Sequence, residues 1–332
     1  MTSLVVQTAF LGDVVLTTPL LTALAETDGP VDVVTTPGAA PLLETHTAVR
    51  RVIPYDKRGA DRGWRGLRAL ARRLRAEQYQ SAYLPHRSLR SAALALLAGI
   101  PRRVGYRDGW RSLYTETQPR PPTGHEIDRL LALAGRGASV EALPSLRLTD
   151  ADQAAATQWL ETAGIARPFM ALAPGSIWGS KRWTRYAELA ARLSERTAVV
   201  LVGGPGDVEL AQAIVAAVPK AVNACAALTL RQSAALIGRA LVLVTNDSAP
   251  LHLAQAVGTP TVTIFGPTIP AFGFGPRGPR DQILGVDGLD CRPCSRHGPA
   301  RCPLGHHACM QGLGVDDVMR AIGATGALHR RD

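Results

Sequence analysis

Apolar positions along the chain fall into short β-branched runs that alternate with longer stretches of helical spacing. In the first half the strand-like runs cover residues 4–8, 31–35, 49–54 and 81–84, with helical patterns at 16–25, 64–77 and 88–98. In the second half strands are expected at 169–173, 198–202, 240–245 and 261–265, with helices at 186–196, 208–217, 230–237 and 249–257. This alternation predicts an α/β protein with parallel sheets, and each half carries enough strands to build its own. The expected division is a first domain over residues 1–163, a second over 164–314 and a last helical segment over 315–332. A helix over 151–163 leads to Gly164, and Ile165, Ala166, Arg167 and Pro168 form the expected hinge. There is no short-period repeat or low-complexity tract.

Composition narrows the class without fixing the function. With 46% hydrophobic and 19% charged residues the chain is ordinary for a globular protein, which sets disordered and fibrous classes aside. No apolar run is long enough to cross a bilayer, and the start lacks a basic segment followed by a cleavage site, so the expected location is cytoplasmic. The net charge of +10 favours acidic partners: nucleotide phosphates, a phosphorylated glycolipid, an anionic membrane face or nucleic acid. Aromatics are only 5% and no recognition helix accompanies the cysteines, so a basic, zinc-binding nucleic-acid protein is the weaker alternative and no nucleic-acid partner is expected.

The stretch 240–268 reads as a complete βαβ unit whose turn is Asn246-Asp247-Ser248, followed by Ala249 and a helical run. A helix start at the carboxyl end of a parallel strand suits a phosphate or a hydroxyl-rich ligand, and Ser248 and His252, four apart, would share one helix face. The same residues also fit a helix cap beside a packed histidine. Near the start, Gly12 and Asp13 follow a strand and leave one carboxylate at the sheet's mouth, either as a cap or as a reactive group. Residues 173–183 combine glycines, hydroxyls including Ser176, and the adjacent cations Lys181 and Arg182. That loop could hold a diphosphate with Lys181 as a point charge, or be an exposed basic loop. It lacks the G-x-x-x-x-G-K-[ST] pattern, which argues against a nucleotide-hydrolysing P-loop. Gly203 and Gly204 form a third glycine turn, open to a nucleotide or merely tight.

Cys291, Cys294, Cys302 and Cys309 cluster with His297, His306 and His307, while Cys225 stands apart. A structural zinc site and reduced structural thiols both fit this pattern. The segment WRGLRALARRLR, residues 64–75, places Leu67, Leu70, Ala71 and Leu74 on one face with arginines around it. It is either an ordinary solvated helix or a surface for anionic lipid or a phosphorylated acceptor, which Arg87, Arg90, Arg102 and Arg103 would extend.

Taken in order, FLGDVVLTTPLLTAL, APGSIWGSKRW, VLVGGPGD, NDSAPLHLAQAVGTPTVTIFGPT and the CRPC…CPLGHHACM segment resemble glycosyltransferase family 9, and most closely its ADP-heptose:lipopolysaccharide heptosyltransferases of type II. The resemblance spans nearly the whole chain and implies a GT-B fold, two Rossmann-like domains facing a cleft, with the last helix packing back on the first. It implies an inverting transfer from ADP-L-glycero-β-D-manno-heptose to the phosphorylated lipid A-core, in peripheral contact with the inner membrane. A family 9 enzyme using another nucleotide sugar is the near alternative. By position, Asp13 would be the general base, Lys181 would neutralise the diphosphate, and Gly12, Ser176, Gly203, Gly204, Asp247, Ser248, Ala249 and His252 would line the substrate sites. No redox cofactor is expected; Mg²⁺ would be an optional aid and Zn²⁺ a structural one. Two departures stand out. Ala249 replaces the family's glycine, and Phe10-Leu11-Gly12 replaces its smaller hydroxyl residues.

Overall fold

The structure, a computed structural model, describes residues 2–328 apart from Val140 and Arg167. The chain forms two units, divided between Arg147 and Leu148. The first contains the strands β1 (Ser3–Gln7), β2 (Val31–Thr35), β3 (Val49–Pro54), β4 (Ser81–Tyr83), β5 (Arg102–Tyr106) and β6 (Glu116–Gln118). They form one six-stranded sheet in the order β3-β2-β1-β4-β5-β6. The second contains β7 (Phe169–Ala173), β8 (Ala198–Leu201), β9 (Ala221–Asn223), β10 (Leu243–Asn246), β11 (Thr261–Ile264) and β12 (Gln282–Leu284), in the order β12-β11-β10-β7-β8-β9. Every pairing in both sheets is parallel.

The two orders are the same pattern of winding outward from the first strand in both directions. Each sheet therefore has one point where the order reverses, between β1 and β4 in the first and between β7 and β10 in the second. Loops leaving the carboxyl ends of strands diverge at such a point and open a crevice there. Burial explains which strands the pattern reveals. β1, β2, β7, β10 and β11 are buried at every position, and each carries β-branched or other apolar residues with few polar interruptions. β6, β9 and β12 are three-residue edge strands with polar, partly exposed positions, so they carry no hydrophobic signature.

One expectation about the domains is corrected. The helix Asp150–Thr162, assigned to the first domain by the sequence, packs on the helix Leu230–Gly238 of the second unit, where Arg231 pairs with Asp152 at 3.1 Å. The boundary thus falls at 147/148, not 163/164, and the expected hinge lies inside the second unit, with its Arg167 outside the described residues. The last helix, Val315–Ala324, buries Val315, Val318 and Ile322 in the core of the second unit beside Met170 and Trp183. It closes that unit's own core; residues 329–332 of the expected segment lie outside the description.

The arginines read as extending a basic surface are mostly committed to the first unit's own structure. Arg90 stacks over Tyr55 and donates to the carbonyls of Asp61 and Gly63. Arg102 binds Glu116 and Tyr83, Arg103 binds the carbonyls of Leu113 and Ile100, and Arg87 pairs with Asp108.

Candidate active site

The crevice of the second sheet is built by the loops after β7 and β10. Asn246, the last residue of β10, clasps both ends of the first of these loops. Its amide nitrogen donates to the carbonyls of Pro174 (2.9 Å) and Gly175 (3.3 Å), while its oxygen accepts from the backbone of Trp183 and the hydroxyl of Tyr186. A fully buried asparagine satisfied on all sides fixes loop geometry more firmly than a cap would. Its side chain thus serves the loop and not the helix start that the sequence suggested.

Within that clasp Lys181 Nζ donates to Asp247 Oδ2 at 2.6 Å and to the Asp247 carbonyl at 3.1 Å. Thr268 Oγ1 donates to the same carboxylate oxygen at 2.7 Å. Both charged side chains are close to nine-tenths buried, so the pair sits where a charge interacts strongly with any anion brought to it. Two of the three ammonium N–H groups are used, which leaves the third for a ligand. The basic-loop alternative for Lys181 does not describe this geometry, because the side chain is buried.

Ser248 occupies the N-cap position of the helix Ala249–Ala256 without a side-chain capping bond. Ala249 takes the first helical position, where alanine is unstrained, so the family's glycine is not required by the backbone. His252 is buried one turn in, and burial pushes its imidazole down to about 4, with the Asp247 carboxylate opposing. It is therefore neutral near pH 7 and is suited to donate or accept a hydrogen bond. Its Nδ1 lies 3.4 Å from Gln255 Oε1, and the Gln255 amide nitrogen is buried with no partner among the described residues. Gln255 is a polar group of this pocket that no local pattern singled out.

The glycine positions separate into two kinds. A Cβ on Gly203 or Gly175 would collide with Asp207, whose carboxylate fills the turn and accepts from Gly204 N at 2.9 Å. Those two glycines house their own aspartate, whereas a Cβ on Gly204 would meet only Asp207 Oδ2, at 4.0 Å. Ser176 is buried, its hydroxyl accepting from Trp178 N and its carbonyl from the Arg182 guanidinium.

The cysteine segment packs on the Lys181 loop. His307 Nε2 donates to the Ser180 carbonyl at 2.6 Å, and the Ser180 hydroxyl donates to the Pro299 carbonyl. Gly179 lies under the Ala300 carbonyl, and Gly298, at φ +78°, lies against the methylene stem of Lys181. Cys294 N reaches the Pro267 carbonyl at 2.9 Å. All five cysteines are free thiols, and no group of three His, Cys, Asp or Glu side chains among the described residues is arranged to hold a metal ion. The segment meets the crevice through its backbone, through His307, through the His297 ring stacked on Trp178, and through the Arg292 guanidinium, which donates to the carbonyls of Phe265 and Thr268.

In the first unit the loop after β1 leads into the helix Leu11–Leu16, with Gly12 buried and Asp13 in its first turn. Asp13 Oδ2 accepts from Phe10 N at 3.1 Å. Desolvation, then the charge of Glu126, pushes its carboxyl up to about 6, against the Phe10 hydrogen bond and Arg120. Glu126 is held by Arg120 (2.6 Å) and Arg129 (3.1 Å). Lys57 Nζ donates to the Thr8 carbonyl at 2.6 Å. The His86 imidazole is held below its usual value by desolvation and by the cations Lys57 and Arg87. Glu126, Arg120, Lys57 and His86 escaped sequence reading because they come from three separate connections, those after β3, β4 and β6.

Tandem doubly wound sheets of this kind, each with a polar cluster at its switch point, place the protein in the GT-B class of glycosyltransferases. The chain belongs to glycosyltransferase family 9: the family model described as "Glycosyltransferase family 9 (heptosyltransferase)" matches residues 67–302. It is 30% identical to lipopolysaccharide heptosyltransferase 2 of Escherichia coli K12 over 81% of this chain and 84% of that one. It is also 30% identical to lipopolysaccharide heptosyltransferase 1 of Pseudomonas aeruginosa, over 88% and 85%. Among solved structures it superposes on a family 9 glycosyltransferase of Veillonella parvula with a TM-score of 0.88 at 23% identity, covering 99% and 98% of the two chains. On ADP-heptose lipopolysaccharide heptosyltransferase II of E. coli the TM-score is 0.80 at 25% identity, with 99% of each chain covered.

Proposed function

We propose that this enzyme is an inverting transferase that moves heptose from ADP-L-glycero-β-D-manno-heptose to the inner core of lipopolysaccharide. The single observation that carries the reading is the buried Lys181–Asp247 pair at the switch point of the second sheet, in a chain whose relatives over four-fifths of its length are lipopolysaccharide heptosyltransferases. A diphosphate leaves readily only when its developing charge is met, and Lys181 supplies a desolvated cation with an N–H to spare. Asp13 removes the proton from the acceptor hydroxyl as that oxygen bonds to the anomeric carbon. The bond from that carbon to the diphosphate oxygen breaks in the same displacement, and ADP departs. A carboxyl held near 6 is ionised at neutral pH yet more basic than an ordinary aspartate, which favours proton transfer. Asp247, Ser248, Ala249 and His252 line the donor pocket, with Gly12 beside the base and Gly204 and Ser176 on the nucleotide side. Mg²⁺, where present, would add positive charge to the diphosphate. Zinc on the four clustered thiols would act on the fold of their segment.

The acceptor is lipid-borne, which places the enzyme at the cytoplasmic face of the inner membrane. A family 9 reaction with another nucleotide sugar is the competing reading, favoured only by Ala249 in place of glycine. Calorimetric titration with ADP, UDP, GDP and a short oligonucleotide tests the donor side. ADP should bind at least tenfold more tightly than the other nucleotides, and its affinity should fall in Lys181→Ala. Preference for UDP or GDP would transfer the assignment to another donor, and tighter binding of the oligonucleotide would remove it altogether.

A further inference from the structure

We propose that the outer face of the paired helices Gly63–Ala76 and Leu89–Leu97 is a docking surface for an anionic lipid bilayer. The two helices run side by side in the same direction. At their amino ends Arg90 of the second donates to the Gly63 carbonyl at 2.9 Å, and at their carboxyl ends the Arg75 guanidinium lies beside Gly99. Their inner faces, Leu67, Leu70, Ala71 and Leu74 from one and Ala92, Leu94 and Ala95 from the other, are buried in one core.

What remains outside is unusual in both charge and polarity. Arg65, Arg68, Arg72 and Arg73 are exposed, and the helix carries no carboxylate. None of these four has an ion-pair partner among the described residues. Some exposed arginines elsewhere are paired, Arg51 with Glu77, Arg102 with Glu116 and Arg136 with Glu26. Others, such as Arg107, Arg196 and Arg280, are exposed without an ion pair among the described residues but stand singly, whereas here four gather on one helix. Glu77, which directly follows the basic helix, is taken by Arg51 and does not neutralise it. Beside this unbalanced charge stand large apolar side chains: Trp64 at 64% exposure, Leu89 at 46% and Leu96 at 43%. Leu89, Ala93 and Leu96 repeat at intervals of four and three residues and so share a stripe.

Unpaired arginines alone would suit any polyanion. Arginines flanked by exposed leucines and a tryptophan match an interface whose phosphates take the guanidinium groups while its acyl boundary takes the apolar side chains. A nucleic acid would leave the leucine stripe in water, and an acidic protein partner would be indifferent to lipid. The proposal assigns a role to residues that take no part in the proposed transfer, and so goes beyond it.

The test is sedimentation of the full-length protein with sugar-free vesicles of phosphatidylglycerol and phosphatidylcholine, against vesicles of phosphatidylcholine alone. Each arginine near an anionic bilayer strengthens partition by roughly fivefold, so R65E/R68E/R72E should weaken binding to the mixed vesicles by on the order of 100-fold. An equal charge change on exposed residues of the second unit, R196E/K220E/R280E, should weaken it far less. L89S/L96S should remove the part of the binding that survives high salt. Brominated acyl chains should quench tryptophan fluorescence in the wild type and much less in Trp64→Phe. Equal loss in the two charge variants, or quenching independent of Trp64, would overturn the proposal. So would an oligonucleotide that binds this face while vesicles do not. Because the vesicles carry no acceptor, such a failure would leave the transferase reading standing; ADP affinity unchanged in the arginine variant confirms that it is folded.

Discussion

Replacing Asp13 with asparagine is expected to lower turnover by about 10²–10⁴-fold, with ADP affinity unchanged, and to make the protein more stable at neutral pH. The two effects share one cause. The Asp13 carboxyl is pushed up to about 6, first by desolvation and then by Glu126, so its ionised form is disfavoured by the fold and is also a stronger base. The amide keeps the shape and still accepts from Phe10 N, but it cannot take a proton. For an acid whose folded value lies above its unfolded one, the linked stability is fully present below the unfolded value near 3.8 and is lost as pH rises through about 6. At pH 7 to 8 the wild type carries the cost of the buried charge and the asparagine variant does not. Discounted for the side chain's partial exposure, the gain is on the order of 1 kcal/mol, about 2–4 °C in melting temperature. Melting curves should show that difference shrinking as pH falls through 6 and vanishing below about 4. The wild-type kcat/KM should rise with pH through about 6. A variant with near-normal transfer would remove Asp13 as the base, and one less stable than wild type at pH 8 would remove the physical account of its basicity.

Removal of the Lys181 charge should have the second-largest consequence, and a double variant separates its two roles. Lys181→Met leaves the Asp247 carboxylate buried with Thr268 Oγ1 as its remaining side-chain partner, and breaking a buried pair in this way costs about 3–5 kcal/mol. Adding Asp247→Asn removes the stranded charge and should return most of that stability. Transfer should not return. Loss of one preorganised electrostatic donor typically lowers the rate by about 10²–10³-fold, and the diphosphate would still lack its cation. If the double variant regained both stability and rate, Lys181 would be a structural residue alone.

The parts of this fold that the sequence discloses are those where burial imposes one periodicity. β1, β7, β10 and β11 are visible because both faces are covered, and the turns carrying Asp13 and Asp247 are visible because each sits between such a strand and a helix. The edge strands β6, β9 and β12 are short and half-solvated, so nothing in their composition distinguishes them from loops. The domain boundary was misplaced for a related reason. The helix Asp150–Thr162 has a weak apolar face, with Ala156 and Leu160 buried, and only its packing on Leu230–Gly238 assigns it to the second unit. In the site, Lys181 and Asp247 are legible as chemistry-bearing residue types, but their contact spans 66 positions and follows from the strand order. Asn246 reads locally as a cap and acts as a clasp. The cysteine spacing suggests a metal, whereas the observed links to the crevice are the side chains of His307, His297 and Arg292 and the backbone at 294 and 298–300, which no spacing rule encodes.

The most direct measurement of the central claim is mass spectrometry of a lipid A-core acceptor lacking its heptose, after incubation with this enzyme and ADP-heptose, UDP-glucose or GDP-mannose in turn. The account predicts addition of one heptose unit with ADP-heptose, release of ADP in equal amount, inverted anomeric configuration in the product, and none of these with Asp13→Asn over the same period. Transfer from UDP-glucose or GDP-mannose in preference to ADP-heptose, or a product that retains the donor's configuration, would contradict it.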